Sequence, residues 1–187
     1  MKFKLTFLLF LFSSFLFGQS NLKITNYYFV IKGSSNLHDW ESKANEVRCN
    51  ATALLDKGTL NAIQALYLEI PVKTIKSAKG SIMDGKTYDA LKADYYPNIS
   101  FKLERINKIG KSGDGYDVSA SGYLFIAGTT NKTDMYVRAK VGADGGVTFT
   151  GSKKLKMTDY KIKPPTALMG TLTTGDDIEI VFTITLK

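Results

Sequence analysis

A chain of 187 residues, 44% of them hydrophobic, is long enough for one domain with a sizeable core, and no shift in composition divides it. Its net charge of +8 suits acidic partners, but the lysines are dispersed. No arginine-rich or aromatic-basic run marks a nucleic-acid surface. One histidine and one cysteine exclude a conventional zinc site and an internal disulfide, so no metal or cofactor is expected and stability must come from packing and backbone pairing.

Residues 1–20, "MKFKLTFLLFLFSSFLFGQS", carry Lys2 and Lys4, then an apolar run from Leu5 to Phe17, then small residues. This is the pattern of a secretory signal, cut after Gly18 or Ser20, which leaves a mature domain over 21–187. The run is short for a membrane span and no second one follows, so the mature protein is expected to be periplasmic or secreted and not membrane-integral.

From there the dominant signal is period-two alternation, the mark of strands with one buried face. Tyr27, Phe29 and Ile31 share a face in the first strand; Val47, Cys49, Ala51, Ala53 and Leu55 do so in the second. The third has Leu60, Ala62, Leu66, Leu68 and Ile70, with Gln64 as a polar interruption. Between the third and fourth, "SIMDGKTYDALKADYYP" (81–97) spaces Met83, Tyr88 and Leu91 as in a short helix that Pro97 ends. Ile99, Phe101 and Leu103 follow, then Tyr116, Val118, Ala120, Gly122, Leu124 and Ile126. Met135, Val137, Ala139 and Val141 form the sixth strand. Val147, Phe149 and Leu155 form the seventh, which is the least regular. Ile178, Ile180, Phe182, Ile184 and Leu186 form the eighth.

Turn residues at Asp56, Gly115, Gly128, Gly145 and Gly175 separate many of these strands. Eight consecutive strands with short connections predict an all-β antiparallel meander closed into a barrel, which removes exposed edges. The two long connections, 81–97 and the stretch around Pro164-Pro165, are expected at the rim.

"SSNLHDWE" (34–41) holds the only histidine and the only tryptophan. His38 and Asp39 are adjacent, so in a strand their side chains point to opposite faces, and no nucleophile-elbow sequence surrounds Ser34 and Ser35. A turn fixed by His38 and Asp39, with Trp40 packed at the barrel end, is the simpler reading; His38 touching a ligand head at a cavity mouth is the alternative. Cys49 alternates with apolar neighbours and reads as a buried small hydrophobe rather than a reactive thiol. Inward faces that mix large residues with Cys49, Ala51, Ala120 and other small ones fit either an unfilled apolar space or a packed core with small residues at corners.

Four stretches resemble the YceI-like family of bacterial extracytoplasmic proteins. They are "FVIKGSSNLHDWE", "MDGKTYDALKADYYPNISFKLERI", "ASGYLFIAGTTNKTDMYVRA" and "YKIKPPTALMGTLTTGDDIEIVFTI", in that order. The resemblance implies a lipocalin-like eight-stranded antiparallel barrel that holds a long-chain isoprenoid or another amphiphilic lipid, no established catalytic activity, export, and dimers in some members. On it, the residues expected to touch the ligand are Phe29, Ile31, His38, Cys49, Ala51, Leu66, Leu68, Phe101, Leu103, Ala120, Leu124, Met135, Val137, Phe149, Ile180 and Phe182. A structural or partner-binding barrel with a filled core is the competing reading, and an enzyme a remote third.

Overall fold

The computed structural model describes residues 19–187; the signal expected over 1–20 lies almost wholly outside them. The chain forms β1 (Gln19–Ser35), β2 (Trp40–Ala44), β3 (Arg48–Asp56), β4 (Thr59–Pro71) and β5 (Ile75–Ser77), then the helix α1 (Ser81–Ala90). After it come β6 (Asn98–Ser112), β7 (Gly115–Ile126), β8 (Thr129–Val141), β9 (Val147–Lys156), β10 (Thr166–Ala167) and β11 (Leu172–Leu186). Single 3-10 turns cover Val72–Thr74, Thr158–Tyr160 and Leu168–Gly170.

Eight of the strands close an antiparallel barrel in the order β1-β3-β4-β6-β7-β8-β9-β11, and β11 returns to β1 through pairs such as Phe29–Phe182. Alternation is the cause: inward residues bury apolar surface together, and every strand finds partners on both sides. The helix falls between β5 and β6, the segment expected to hold it.

The strands depart from strict alternation at bulges. Across from β3, Thr52 pairs with Ala65 but Ala53 with Ile63, so Gln64 is the extra residue and the polar interruption is absorbed there. A second shift at Asn61 follows, so the buried residues are Leu60 and Ile63, and Ala62, expected inward, is not among them. In β6, Glu104 and Asn107 are extra in the same way. The strand therefore continues past Leu103, and Ile106 and Ile109 pack against the core. The turn expected at Gly175 is not one: Gly175 lies inside β11, next to the irregularity where Ser35 meets Thr174.

The two ends of the barrel differ. The β3–β4, β6–β7 and β8–β9 connections are tight turns at one end. Apart from the tight β7–β8 turn, the connections at the other end are long and carry β2, β5, α1 and β10. The wall also widens there. β1 pairs with β3 only through Gln19–Lys23; beyond that the two strands part, and β2 pairs with β1 through Val30–Gly33, with β5 outside it. β8 and β9 pair only through Val137–Val141 and Gly151–Val147, so the remainder of each strand lacks that neighbour.

Candidate ligand-binding site

The interior holds a chamber of about 440 Å³ that opens at the wide end and reaches inward as far as Ile63, Ile184 and Leu186, within the range of ordinary small-molecule sites. Phe29, Ile31, Leu66, Leu68, Phe101, Leu103, Leu124, Met135, Val137, Phe149, Ile180 and Phe182 surround it, with Cys49 and Ala120 as the small members. Each lies in phase on its strand with the inward face. Of the residues expected to touch a ligand, only Ala51 is absent from the lining. It is buried beside Leu22 and Leu66 in the strand pairing, within the packed end.

Several small residues are used for close packing rather than for space. A Cβ on Gly122 would stand 2.6 Å from the carbonyl oxygen of Lys102 and against the Phe101 ring, so the glycine lets that ring lie flat on the wall. Ala53 and Ala139, small residues on faces expected to point inward, are buried in the core cluster and do not line the chamber.

The polar lining sits at the loop end: Ser35, His38, Ser42, Ser77, Lys79, Lys86, Thr87 and Thr174, with Lys153 further along the wall. Two elements place it. The first is the β1–β2 turn. Ser35 Oγ donates to the His38 carbonyl at 2.8 Å and accepts from the amides of Leu37 and His38. Asn36 joins the turn to the start of β11: its side-chain Nδ2 donates to the Thr171 carbonyl at 2.8 Å, and its side-chain oxygen accepts from the Thr173 backbone amide at 3.0 Å. The turn is therefore held by Ser35 and Asn36, not by His38 and Asp39 as the sequence suggests. Trp40 does pack at the barrel end, donating from Nε1 to the Ser34 carbonyl at 3.0 Å, and its ring covers Gly33 so closely that a Cβ there would collide with it.

The second element is α1. Asp84, buried in its first turn, accepts from the Ser77 amide at 2.7 Å and pairs with Lys76 at 3.3 Å. Tyr88 Oη lies 2.9 Å from the Lys73 carbonyl. These contacts pin one face of the helix to β5, so Met83, Lys86 and Thr87 reach the chamber. Lys86 Nζ then donates across the opening to the Thr166 carbonyl at 3.2 Å.

Beneath the loop after β9, Met157, Tyr160 and Ile162 pack on Leu124, Ile126 and Ala127, closing one side of the wide end. Lys153 is a lining residue that the sequence reading passed over, although it lies in phase with Phe149 and Leu155. Its amine donates to the Asp134 carbonyl at 2.9 Å, across the gap where β8 and β9 are unpaired.

Catalytic chemistry finds little support in this geometry. Ser35 Oγ is 3.4 Å from His38 Nδ1, but its hydrogen bonds are spent on the turn, and His38 is exposed. Burial pushes the Cys49 thiol up to about 12, so it stays protonated and inert at neutral pH. Among the described residues no cluster of histidine, cysteine or carboxylate side chains is arranged to hold a metal ion.

A closed antiparallel barrel whose apolar chamber opens among loops defines a lipocalin-like binding fold. The YceI-like domain matches residues 21–186, and the chain belongs to that family. No protein of curated function matches the sequence. Among solved structures, the fold is similar to a polyisoprenoid binding domain from Saccharophagus degradans implicated in plant cell wall breakdown, with a TM-score of 0.67 and 10% identity, covering 91% of this chain and 99% of that one. It is also similar to BcnA from Burkholderia cenocepacia, with a TM-score of 0.64 and 17% identity over 85% and 95% of the two chains. The Campylobacter jejuni YceI protein gives 0.57 and 20% over 77% and 82%.

Proposed function

We propose that this protein is an exported carrier or scavenger that holds an isoprenoid-like or fatty amphiphile, with the tail in the chamber and the polar head at the rim near His38 and Lys86. The observation that carries this reading is the division of the lining: apolar side chains from eight strands around the void, polar ones gathered where the loops open. An apolar void excludes water and takes apolar guests, and each buried methylene contributes about 0.8 kcal/mol. A tail can thus be held without a polar anchor. The likeness to the polyisoprenoid binding domain from Saccharophagus degradans agrees with that class of ligand. The reading is one of binding rather than catalysis. Export rests on the pattern of residues 1–20; a cut after Gly18 keeps the pairs Gln19–Leu54 and Ser20–Ala53, which a cut after Ser20 removes.

Trp40 is the sole tryptophan and lines the chamber, so its fluorescence reports occupancy directly. Titration with farnesol and geranylgeraniol should change its emission saturably at one ligand per chain, the longer alcohol binding more tightly. Unchanged emission with both, together with no retained hydrophobic mass, would count against the carrier.

A further inference from the structure

We infer that the loop end of the barrel docks, as a peripheral contact, on the surface of a phospholipid bilayer bearing anionic head groups. The observation is where aliphatic side chains are left in water. Among the described residues, the large exposed apolar side chains are five tyrosines and only three aliphatic ones: Leu37 (74% exposed), Ile82 (78%) and Met169 (108%). Four of the tyrosines lie along the barrel strands and one in the turn after α1, and each carries a hydroxyl that water can satisfy. The three aliphatic residues sit on three separate segments, two loops and the first turn of α1, around one opening. Leu37 is in the β1–β2 turn beside His38, Ile82 is on α1 beside Met83, and Met169 is in the 3-10 turn between Pro165 and Leu172. His38 next to Leu37 and Met83 next to Ile82 line the chamber, as do Pro165 and Leu172 on either side of the turn that carries Met169; the three residues themselves do not.

One exposed leucine is ordinary. Three from unrelated segments, converging on one rim, form the apolar tips of a surface that buries them elsewhere. The charge around them fits a membrane. Lys79 and Lys86 line the opening, and no aspartate or glutamate does. Of the nearby carboxylates, Asp84 is buried and tied to Lys76 and Asp176 accepts from Thr158, while Asp39, Glu41 and Asp89 are exposed and outside the lining. Short apolar tips flanked by lysines bind a bilayer by burying the tips at the head-group boundary while the amines meet anionic phosphates. No helix among the described residues is long and apolar enough to cross a membrane; the proposed contact is a peripheral one made by these segments. Docked this way, the chamber faces the lipid and a tail can pass without crossing water.

The test uses the chain from Gln19, which holds every strand of the closed barrel, in co-sedimentation with vesicles of phosphatidylethanolamine and phosphatidylglycerol at three to one, and with pure phosphatidylcholine. Wild type should pellet with the anionic vesicles. L37S/I82S/M169S should lower its partition coefficient about tenfold, and K79Q/K86Q should do so on anionic vesicles but not on phosphatidylcholine, each with an unchanged melting temperature. The triple variant should still take up farnesol added from ethanol, yet extract it more slowly from vesicles; this separates failed docking from failed carriage. Equal pelleting of wild type and triple variant, or no pelleting of wild type, overturns the inference. So does a concentration-dependent dimer of the wild type that the triple variant loses, since the patch would then be an interface between two copies.

Discussion

The two halves of one barrel follow the same alternation and differ in what meets inside. At the tight-turn end, Leu22, Leu60 and Val147 close over Ala51, Ala53 and Ala139, all of them buried. At the loop end, larger residues such as Leu68, Phe101 and Ile180 stand around empty volume. Small inward residues are therefore not what makes the interior hollow; at the packed end they let the opposite side chains come together. The hollow arises where the wall gains circumference, through β2 and β5 beside β1 and through the unpaired stretch of β8 and β9. An eight-stranded interior is just wide enough for side chains to fill, so a modest widening decides between core and chamber.

That contrast can be broken by deletion. Leu60→Ala removes a side chain buried to 2% in the packed half and should cost about 2–5 kcal/mol, read by chemical denaturation. Leu68→Ala, at a wall already facing space, should cost clearly less. Equal losses would mean that the two halves are packed alike.

It is sharpened by insertion. Ala120→Phe puts a ring into the chamber, should displace several methylenes of ligand and weaken farnesol binding about a hundredfold while the barrel stays folded. Ala51→Phe should do the opposite, overpacking the closed half at a cost of about 1–3 kcal/mol with little change in ligand affinity for the molecules that remain folded. Reversed effects would put the chamber at the wrong end.

A smaller effect concerns Cys49 at the border of the halves. Its thiol is raised by burial to about 12 in the folded state, so above the ordinary thiol range the unfolded chain binds fewer protons than the folded one. Stability is then lost as the pH rises from about 9 towards 12. Cys49→Ala should flatten that alkaline slope in urea melts; an unchanged slope would place the thiol in water.

Much of this architecture is legible in the sequence, because period-two alternation is a direct consequence of burying one strand face. Phe29, Val137 and Phe182 could be assigned inward from neighbours alone. Bulges broke the rule: Gln64 and Glu104 each shift the phase by one residue, which is why Ala62 was misplaced and Ile106 missed. Lys153 was in phase but polar, and its tether to the Asp134 carbonyl depends on a gap between strands that no local pattern encodes. The turn at 34–40 was located from its residues, but Ser35 and Asn36, not the His-Asp pair, supply its hydrogen bonds. β2 and β5 are short and pair with partners set by tertiary contacts, so the widening they cause was not readable.

The most direct measurement is native mass spectrometry of the protein purified gently from its own host. The account predicts a population heavier than the bare chain by one hydrophobic molecule, released by organic solvent and restored by added polyprenol. Bare mass in every preparation, with no mass gained on incubation with polyprenols or fatty acids, would contradict it.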